Sequence, residues 1–96
     1  MQDFYIYILK CSDNSYYTGH TDNIEKRLWE HNFSDISCYT STRRPVVLAF
    51  CQETSSRYEA IFAERQIKNW SRKKKEALIF GDFSLLPNLS KKKFDR

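Results

Sequence analysis

The segment Phe4–Leu9, with the sequence FYIYIL, constrains the fold more than any other part of the chain. It is rich in aromatic and β-branched residues and is apolar at both sets of alternating positions, which is typical of a strand covered on both faces. A chain of 96 residues has room for one modest core. We therefore predict that this segment is the central strand of a single sheet.

A hairpin is predicted directly after this strand. Residues 12–15, SDNS, form a dense turn signal, and residues 16–19 return to extended character. If these four residues alone form the loop, Tyr7 and Tyr17 lie on opposite faces of the sheet. A loop of three or five residues, or a bulge, places them on one face. We predict the shared face, because the site inferred below needs both hydroxyls.

One helix and one further strand are predicted next. A cap at residues 21–23 begins a helix that runs to about Asn32, with Ile24, Leu28 and His31 on its inward stripe. Residues 33–45 are predicted to be a loop. Val46–Cys51 is apolar throughout and is predicted to be the third strand.

Two more helices complete the predicted fold. Ser55 or Ser56 caps the first of them, and Ser71 caps the second, which runs through Ile79. The order ββαβαα indicates an α+β fold, a small three-stranded antiparallel sheet flanked by helices. We expect one domain at residues 1–80. Residues 81–96 are expected to be a C-terminal extension that lies on the surface or is partly disordered.

The cysteines and the hydropathy pattern exclude several classes of protein. Cys11, Cys38 and Cys51 are odd in number and lack Cys-x-x-Cys spacing, so they indicate neither a disulfide framework nor a zinc site. We interpret them as reduced, partly buried structural residues. The N-terminal apolar run is too short to span a membrane and lacks the basic lead of a signal peptide. We expect a cytoplasmic protein without membrane association.

The net charge of +4 is distributed unevenly along the chain. Residues 1–64 hold 6 Lys/Arg against 9 Asp/Glu, whereas residues 65–96 hold 10 against 3. Such segregation favours an anionic partner, either nucleic acid or an acidic surface, and a solvated basic face is the alternative.

Glu64 is the charged residue whose position most needs an explanation. Its spacing from Ile61 and Ile67 places the carboxylate on the inward stripe of the second helix. A carboxylate in such a place needs a basic group or a metal ion, unless it lies at the edge of the stripe and reaches water. A structural pair with Arg27 is one such possibility.

Other candidate residues are not decided by pattern alone. Arg27 and His31 lie one turn apart and can share one wall of a pocket, but an inward histidine is more often a satisfied core residue. Each of the hairpin tyrosines also fits an ordinary strand position.

Together these residues resemble the GIY-YIG nuclease domain. The match consists of Tyr5-Ile6-Tyr7, Tyr17-Thr18-Gly19, Arg27 with His31, and Glu64 within AxxxE, and it covers residues 4–80. It is similar to small stand-alone bacterial members that resemble an excision-repair nuclease. The chain departs from the family pattern in having Tyr5 for glycine, Thr18 for isoleucine, and His20 where lysine is frequent.

The resemblance implies a mechanism and a cofactor. Glu64 would hold one divalent ion, Mg²⁺ or Mn²⁺, beside the scissile phosphate. Tyr7 or Tyr17 would position or deprotonate the attacking water, and Arg27 would clamp the phosphate. His31 would orient a tyrosine, take part in proton transfer, or fill the core.

Basic residues other than those given a catalytic role above are expected to contact DNA. A basic first turn opposes the helix dipole, so the positive run after Ser71 indicates a role other than helix stability. The expected DNA-binding residues are Arg43, Arg44, Arg65, Lys68, Arg72, Lys73, Lys74 and Lys75.

Three functions remain open at this point. The first is a DNA endonuclease of repair or recombination type that recognises structure rather than sequence, with RNA not excluded as a substrate. The second is a nucleic-acid-binding module of the same fold with weak or no cleavage. The third is a protein-interaction domain whose basic third helix binds an acidic partner, which would lack salt-sensitive DNA binding.

Overall fold

The fold is built on a three-stranded antiparallel sheet. The computed structural model describes residues 3–34 and 39–81. Its strands are β1 (Phe4–Lys10), β2 (Tyr16–Thr21) and β3 (Val47–Thr54), in the spatial order β2-β1-β3. The prediction that the first apolar segment is the central strand is therefore confirmed. β3 runs three residues further than predicted, because its polar end still pairs with the beginning of β1.

The register of the hairpin places the two tyrosines on the same face. Tyr7 is opposite Gly19 and Leu9 is opposite Tyr17, so that residues 11–15 form a loop of five residues. Because side chains alternate along a strand, Tyr7, Leu9 and Tyr17 share one face. The prediction of a shared face is confirmed.

Three helices cover the sheet, and they cover both of its faces. Helix α1 (Ile24–Phe33) packs on the face that carries Tyr7 and Leu9. Helices α2 (Arg57–Lys68) and α3 (Arg72–Phe80) pack on the face that carries Ile6 and Ile8. The order ββαβαα and the α+β class are those predicted from the sequence.

The helix ends follow from local hydrogen bonding. The side chains of Asn23, Ser56 and Ser71 accept from backbone N–H groups in the first turns of α1, α2 and α3. Gly81 ends α3 in the left-handed conformation, with φ of 80°. The predicted loop at residues 33–45 contains a short 3₁₀ helix, Tyr39–Thr42.

Some sequence predictions concern cysteines and segments that the structure describes only in part. Cys11 is buried as expected, but Cys51 is exposed because it lies on the outer strand β3. Cys38 and residues 82–96 of the expected extension lie outside the described residues. Within the described part of the chain, none of the helices has the length and apolar character needed to cross a bilayer.

Candidate active site

Tyr7 and Tyr17 form the centre of the candidate site. They lie on neighbouring strands, and their ring centroids are 6.5 Å apart. Tyr7 is only 2% exposed, whereas Tyr17 is half-buried on the outer strand β2. Burial raises the pKa of Tyr7 to about 12, and the nearby Arg27 guanidinium offsets only part of this effect. Tyr7 is therefore a neutral phenol in the free protein.

His31 packs against both tyrosines from α1. Its Nε2 atom lies 3.1 Å from the Tyr7 hydroxyl oxygen, and its Nδ1 atom lies 2.7 Å from Oγ1 of Thr40. The Tyr17 ring meets the imidazole edge to face, with the centroids 4.9 Å apart. Burial and the positive charge of Arg27 lower the pKa of His31 to about 4. His31 is therefore a neutral imidazole at neutral pH.

Arg27 lies one turn before His31 and lines the same small cleft as Tyr7, where its positive charge opposes the rise in the pKa of that phenol. Its Nη1 atom also pairs with Oε1 of Glu30 at 3.2 Å, and 40% of its side chain remains exposed. The guanidinium can therefore reach a bound anion. The alternative in which Glu64 is the structural partner of Arg27 is wrong, because Arg27 pairs with Glu30.

Glu64 projects from α2 on the other face of the sheet. Its Oε1 atom accepts a hydrogen bond from Nδ1 of His20, and its Oε2 atom lies 2.7 Å from Nζ of Lys68. Burial alone would raise the pKa of Glu64, but the hydrogen bonds from His20 and Lys68 outweigh burial and lower it. The carboxylate is ionised, and the expectation that it meets a basic group is confirmed.

These two groups of side chains meet at the outer edge of β2. The register pairs His20 with Ile6, which turns His20 toward α2, while the adjacent Gly19 is paired with Tyr7. Lys68 connects the two sides, because its Nζ atom pairs with Glu64 and also lies 5.9 Å from the centre of the Tyr17 ring. The candidate site therefore extends across the sheet edge.

A metal ion in this site would have one protein carboxylate as its ligand. In residues 3–34 and 39–81, no group of three or more His, Cys, Asp or Glu side chains is placed to hold a metal ion. Each oxygen of Glu64 makes one contact with a basic group, so lone pairs remain for an ion. Mg²⁺ suits such a position, because it keeps several waters and takes substrate phosphate as a ligand.

Two of the expected DNA-binding arginines make structural contacts. The Arg43 guanidinium lies 4.0 Å over the Tyr39 ring, and its Nε donates to Oδ2 of Asp13 at 3.0 Å. Arg44 donates to the carbonyl oxygens of His31 and Ser34 at the end of α1, at 2.7 and 2.6 Å. These contacts fix the loop before β3 to the hairpin and to α1.

Arg72 also makes contacts that the sequence did not indicate. Its guanidinium lies 4.6 Å over the Tyr16 ring, donates to Oε2 of Glu76 at 3.1 Å, and donates to the carbonyl oxygen of Asn14. The interpretation that the basic first turn of α3 adds nothing to folding is therefore wrong for Arg72. It holds the hairpin loop against α3.

The remaining expected DNA-binding residues lie on α2 and α3, and one of them, Lys68, contacts Glu64. Lys68 and Lys75 are close enough that the charge of Lys68, together with burial, lowers the pKa of Lys75. Helices α2 and α3 therefore carry a set of positive side chains, the positive surface, of which Lys68 pairs with Glu64. Its exposed members are Arg65, Lys68, Lys73 and Lys74.

Sequence reasoning left three residues of this site without a role. His20 was noted only as a departure from the family pattern, although its alternation with Thr18 along β2 could have indicated its direction. Thr40 lies in a predicted loop and gave no signal. Tyr39, which stacks on Tyr17 with centroids 5.9 Å apart, also lies there.

Comparison with known proteins identifies the class to which this fold and site belong. The family model of the GIY-YIG catalytic domain matches residues 3–77. The chain therefore belongs to the GIY-YIG family, a family of nucleases that generally use divalent metal ions.

Individual relatives agree with this assignment. The UPF0213 protein SH2523 of Staphylococcus haemolyticus is 48% identical over 79 residues, which cover 82% of this chain and 96% of the relative. The solution NMR structure of the protein EF2693 from E. faecalis has a TM-score of 0.59 and 35% identity, with 91% of this chain and 95% of that chain covered. The NMR structure of the UPF0213 protein BH0048 from Bacillus halodurans has a TM-score of 0.55 and 35% identity, over 93% and 95% of the two chains.

Proposed function

We propose that this protein is a metal-dependent endonuclease that hydrolyses phosphodiester bonds in DNA. The observation that supports this most is the convergence at the β2 edge. There Lys68 joins the ionised carboxylate of Glu64 to the tyrosine pair. The residues assigned to phosphate, water and cation thus extend from the tyrosine face across the β2 edge to Glu64.

Glu64 is the residue that holds the divalent ion. Its side chain is 17% exposed, so the carboxylate is shielded but reachable. When bound, the ion supplies charge that stabilises the phosphate oxygens during displacement. His20 and Lys68 keep the carboxylate ionised and oriented in the free protein.

Arg27 and the two tyrosines act on the phosphate and on water. Arg27 binds a non-bridging phosphate oxygen through the exposed part of its guanidinium and offsets the charge that develops there. Tyr7 or Tyr17 orients the attacking water. To accept the proton of that water the phenol first gives up its own, which for Tyr7 passes to Nε2 of His31 at 3.1 Å. A phenol as buried as Tyr7 needs added positive charge to ionise at neutral pH. Arg27 contributes such charge at Tyr7, and Lys68 lies over the Tyr17 ring.

The positive surface of α2 and α3 binds the DNA backbone. Its lysines are compact charges that suit phosphate contacts without base recognition. Contacts to the backbone carry no sequence information by themselves, which favours recognition of branched or unpaired DNA structure, as in repair or recombination.

A screen of metals against substrates tests the proposal. Purified protein is incubated with supercoiled plasmid, branched DNA, single-stranded DNA and RNA, in Mg²⁺, in Mn²⁺, or in EDTA. We expect nicking that requires a divalent ion and is fastest on branched or unpaired DNA. No cleavage of any substrate in either metal would contradict the proposal.

The alternative is a nucleic-acid-binding module with weak or no cleavage. One observation favours it, because both oxygens of Glu64 already contact basic side chains. In that case the same screen gives salt-dependent DNA binding that does not need a metal, and no nicking.

A further inference from the structure

Three buried side chains form a line from the reacting face into the core. The hydroxyl oxygen of Tyr7 lies 3.1 Å from Nε2 of His31, and Nδ1 of His31 lies 2.7 Å from Oγ1 of Thr40. Their exposed fractions are 2% for Tyr7, 2% for His31 and 0% for Thr40. The role proposed above uses Tyr7, but it assigns nothing to Thr40.

Arg27 determines the direction of the first hydrogen bond in this line. Arg27 and Tyr7 line the same small cleft, and the positive charge of the guanidinium favours the arrangement in which the Tyr7 oxygen faces it and the Tyr7 proton points away. The single proton of Tyr7 therefore goes to Nε2 of His31. The lone pairs of the Tyr7 oxygen remain available to a donor such as the attacking water.

The direction of the second hydrogen bond follows from the first. His31 is neutral, because burial and Arg27 lower its pKa to about 4, and a neutral imidazole has one N–H group. Since Nε2 accepts from Tyr7, the proton of His31 is on Nδ1 and is donated to Oγ1 of Thr40. In the opposite tautomer the Nε2 proton would face the Tyr7 proton, and neither group could accept the other's hydrogen bond.

We propose that Thr40 is a positioning residue of this site. Its hydroxyl accepts from Nδ1–H, which stabilises the Nδ1–H tautomer of His31 and so keeps Nε2 free to accept the Tyr7 proton. The effect of Thr40 on cleavage rests on the proposed function. The tautomer itself is a property of the free protein and can be measured without DNA or metal.

The competing explanation is that Thr40 only fills space in the core. Two substitutions separate these roles, because Thr40→Val keeps the shape and removes the hydroxyl, whereas Thr40→Ser keeps the hydroxyl and removes a methyl group. A packing role predicts that the valine variant is the better substitute. A positioning role predicts that the serine variant is.

Thr54 provides a matched control. It is a second buried threonine, 5% exposed, and its Oγ1 lies 3.1 Å from the Phe4 carbonyl oxygen and 3.0 Å from that of Ser56. Thr54→Val removes a buried hydroxyl of the same kind outside the line of Tyr7, His31 and Thr40. It should lower stability without changing the tautomer of His31.

The first measurement is the ¹H–¹⁵N NMR spectrum of the histidine rings in the free protein. The chain has two histidines, so a His20→Gln variant assigns the His31 signals. We expect His31 to be protonated at Nδ1 alone in the wild type, in Thr40→Ser and in Thr54→Val, and to be a mixture of tautomers in Thr40→Val. A wild-type His31 protonated at Nε2, or an unchanged Nδ1–H tautomer in Thr40→Val, would overturn the proposal.

The second measurement is cleavage by the same variants. Thr40→Val should cut at least about tenfold more slowly than Thr54→Val at equal DNA affinity, and Thr40→Ser should recover most of the rate. Equal rates for the two valine variants would overturn the role of Thr40 in cleavage. If Thr40→Val does not fold, the wild-type and Thr40→Ser spectra still decide the tautomer. If the wild type does not cut any DNA, the proposed function fails while the spectra still test the tautomer.

Discussion

A side chain at Gly19 would place its Cβ atom 2.6 Å from the hydroxyl oxygen of Tyr7 and 2.8 Å from Cζ of the same ring. Such separations are too short for a real contact, so the Tyr7 phenol occupies space that only glycine leaves open. Among the described glycines, positive φ occurs only at Gly81. The glycine of the Tyr17-Thr18-Gly19 triplet is therefore required for the position of Tyr7 rather than for backbone conformation.

The first prediction is that Gly19→Ala slows cleavage, because the new methyl group displaces the Tyr7 hydroxyl from His31. Overpacking of this kind should also cost about 1–3 kcal/mol of stability. Gly81→Ala is the control. The φ angle at Gly81 is 80° and the added Cβ would meet no atom of the described residues within 4 Å, its chain neighbours aside, so this variant should lose stability through backbone strain alone. Cleavage assays and thermal melts of both variants should show slower cutting only for Gly19→Ala. Wild-type cleavage by that variant would contradict the account.

The second prediction concerns the dependence of stability on pH. The pKa of His31 falls from its ordinary value of 6.5 to about 4 on folding, so the unfolded chain binds more protons between these values. The contribution of His31 to stability is therefore fully present above pH 6.5 and is lost as pH falls toward 4, by up to about 3 kcal/mol. Denaturant unfolding at several pH values in this range should show that the free energy of unfolding rises with pH in the wild type, and that His31→Asn removes this slope. An equal slope in that variant would show that other groups cause the pH dependence.

The order of the strands and helices, the shared face of the tyrosines, and the buried position of His31 could be predicted from the sequence. Apolar alternation and helix caps are local signals, and the shared face followed from the requirements of the family motif. The pairing of Glu64 with His20 could not be predicted, because a shift of one residue in the hairpin register would turn His20 to the opposite face of the sheet. Its pairing with Lys68, four residues later on α2, is a local contact that helix spacing could have indicated. The structural contacts of Arg43, Arg44 and Arg72 could not be predicted, because they include residues of distant segments that composition does not reveal. Their contact with DNA stays a prediction.

The third prediction tests the positive surface with Lys73→Ala combined with Lys74→Ala. Both lysines are exposed on the first turn of α3. The double variant should bind DNA more weakly, and the slope of log affinity against log salt should fall by about 2. Thermal stability should stay nearly unchanged. The control is Lys10→Ala combined with Lys26→Ala, which makes the same charge change at exposed positions elsewhere. Equal DNA affinity for the two double variants would show that Lys73 and Lys74 belong to an ordinary solvated surface.

The fourth prediction concerns the buried hydroxyl of Thr18. Thr18 is 2% exposed, and its Oγ1 has no hydrogen-bond partner among the described residues. Thr18→Val keeps the shape and removes the unsatisfied polar group, so it should stabilise the fold by about 1 kcal/mol. The same change at the hydrogen-bonded Thr54 should destabilise it. Calorimetric melts that show both variants to be destabilised would refute this interpretation of Thr18.

The last prediction returns to Glu64, on which the proposed cation site depends. Glutamine keeps the shape of the side chain and can still bond to Lys68, so Glu64→Gln should fold normally and bind DNA within a few-fold of wild type. Loss of the charged ligand should slow metal-dependent nicking by about two orders of magnitude or more. Glu53→Gln removes an exposed carboxylate on β3 and serves as the control.

The most direct test is therefore the nicking rate of branched DNA in Mg²⁺ by wild type, Glu64→Gln and Glu53→Gln, with a melting curve for each protein. We predict equal folding of the three proteins, metal-dependent nicking by wild type and Glu53→Gln, and almost none by Glu64→Gln. A folded Glu64→Gln variant that cuts at the wild-type rate would contradict the catalytic role of this carboxylate.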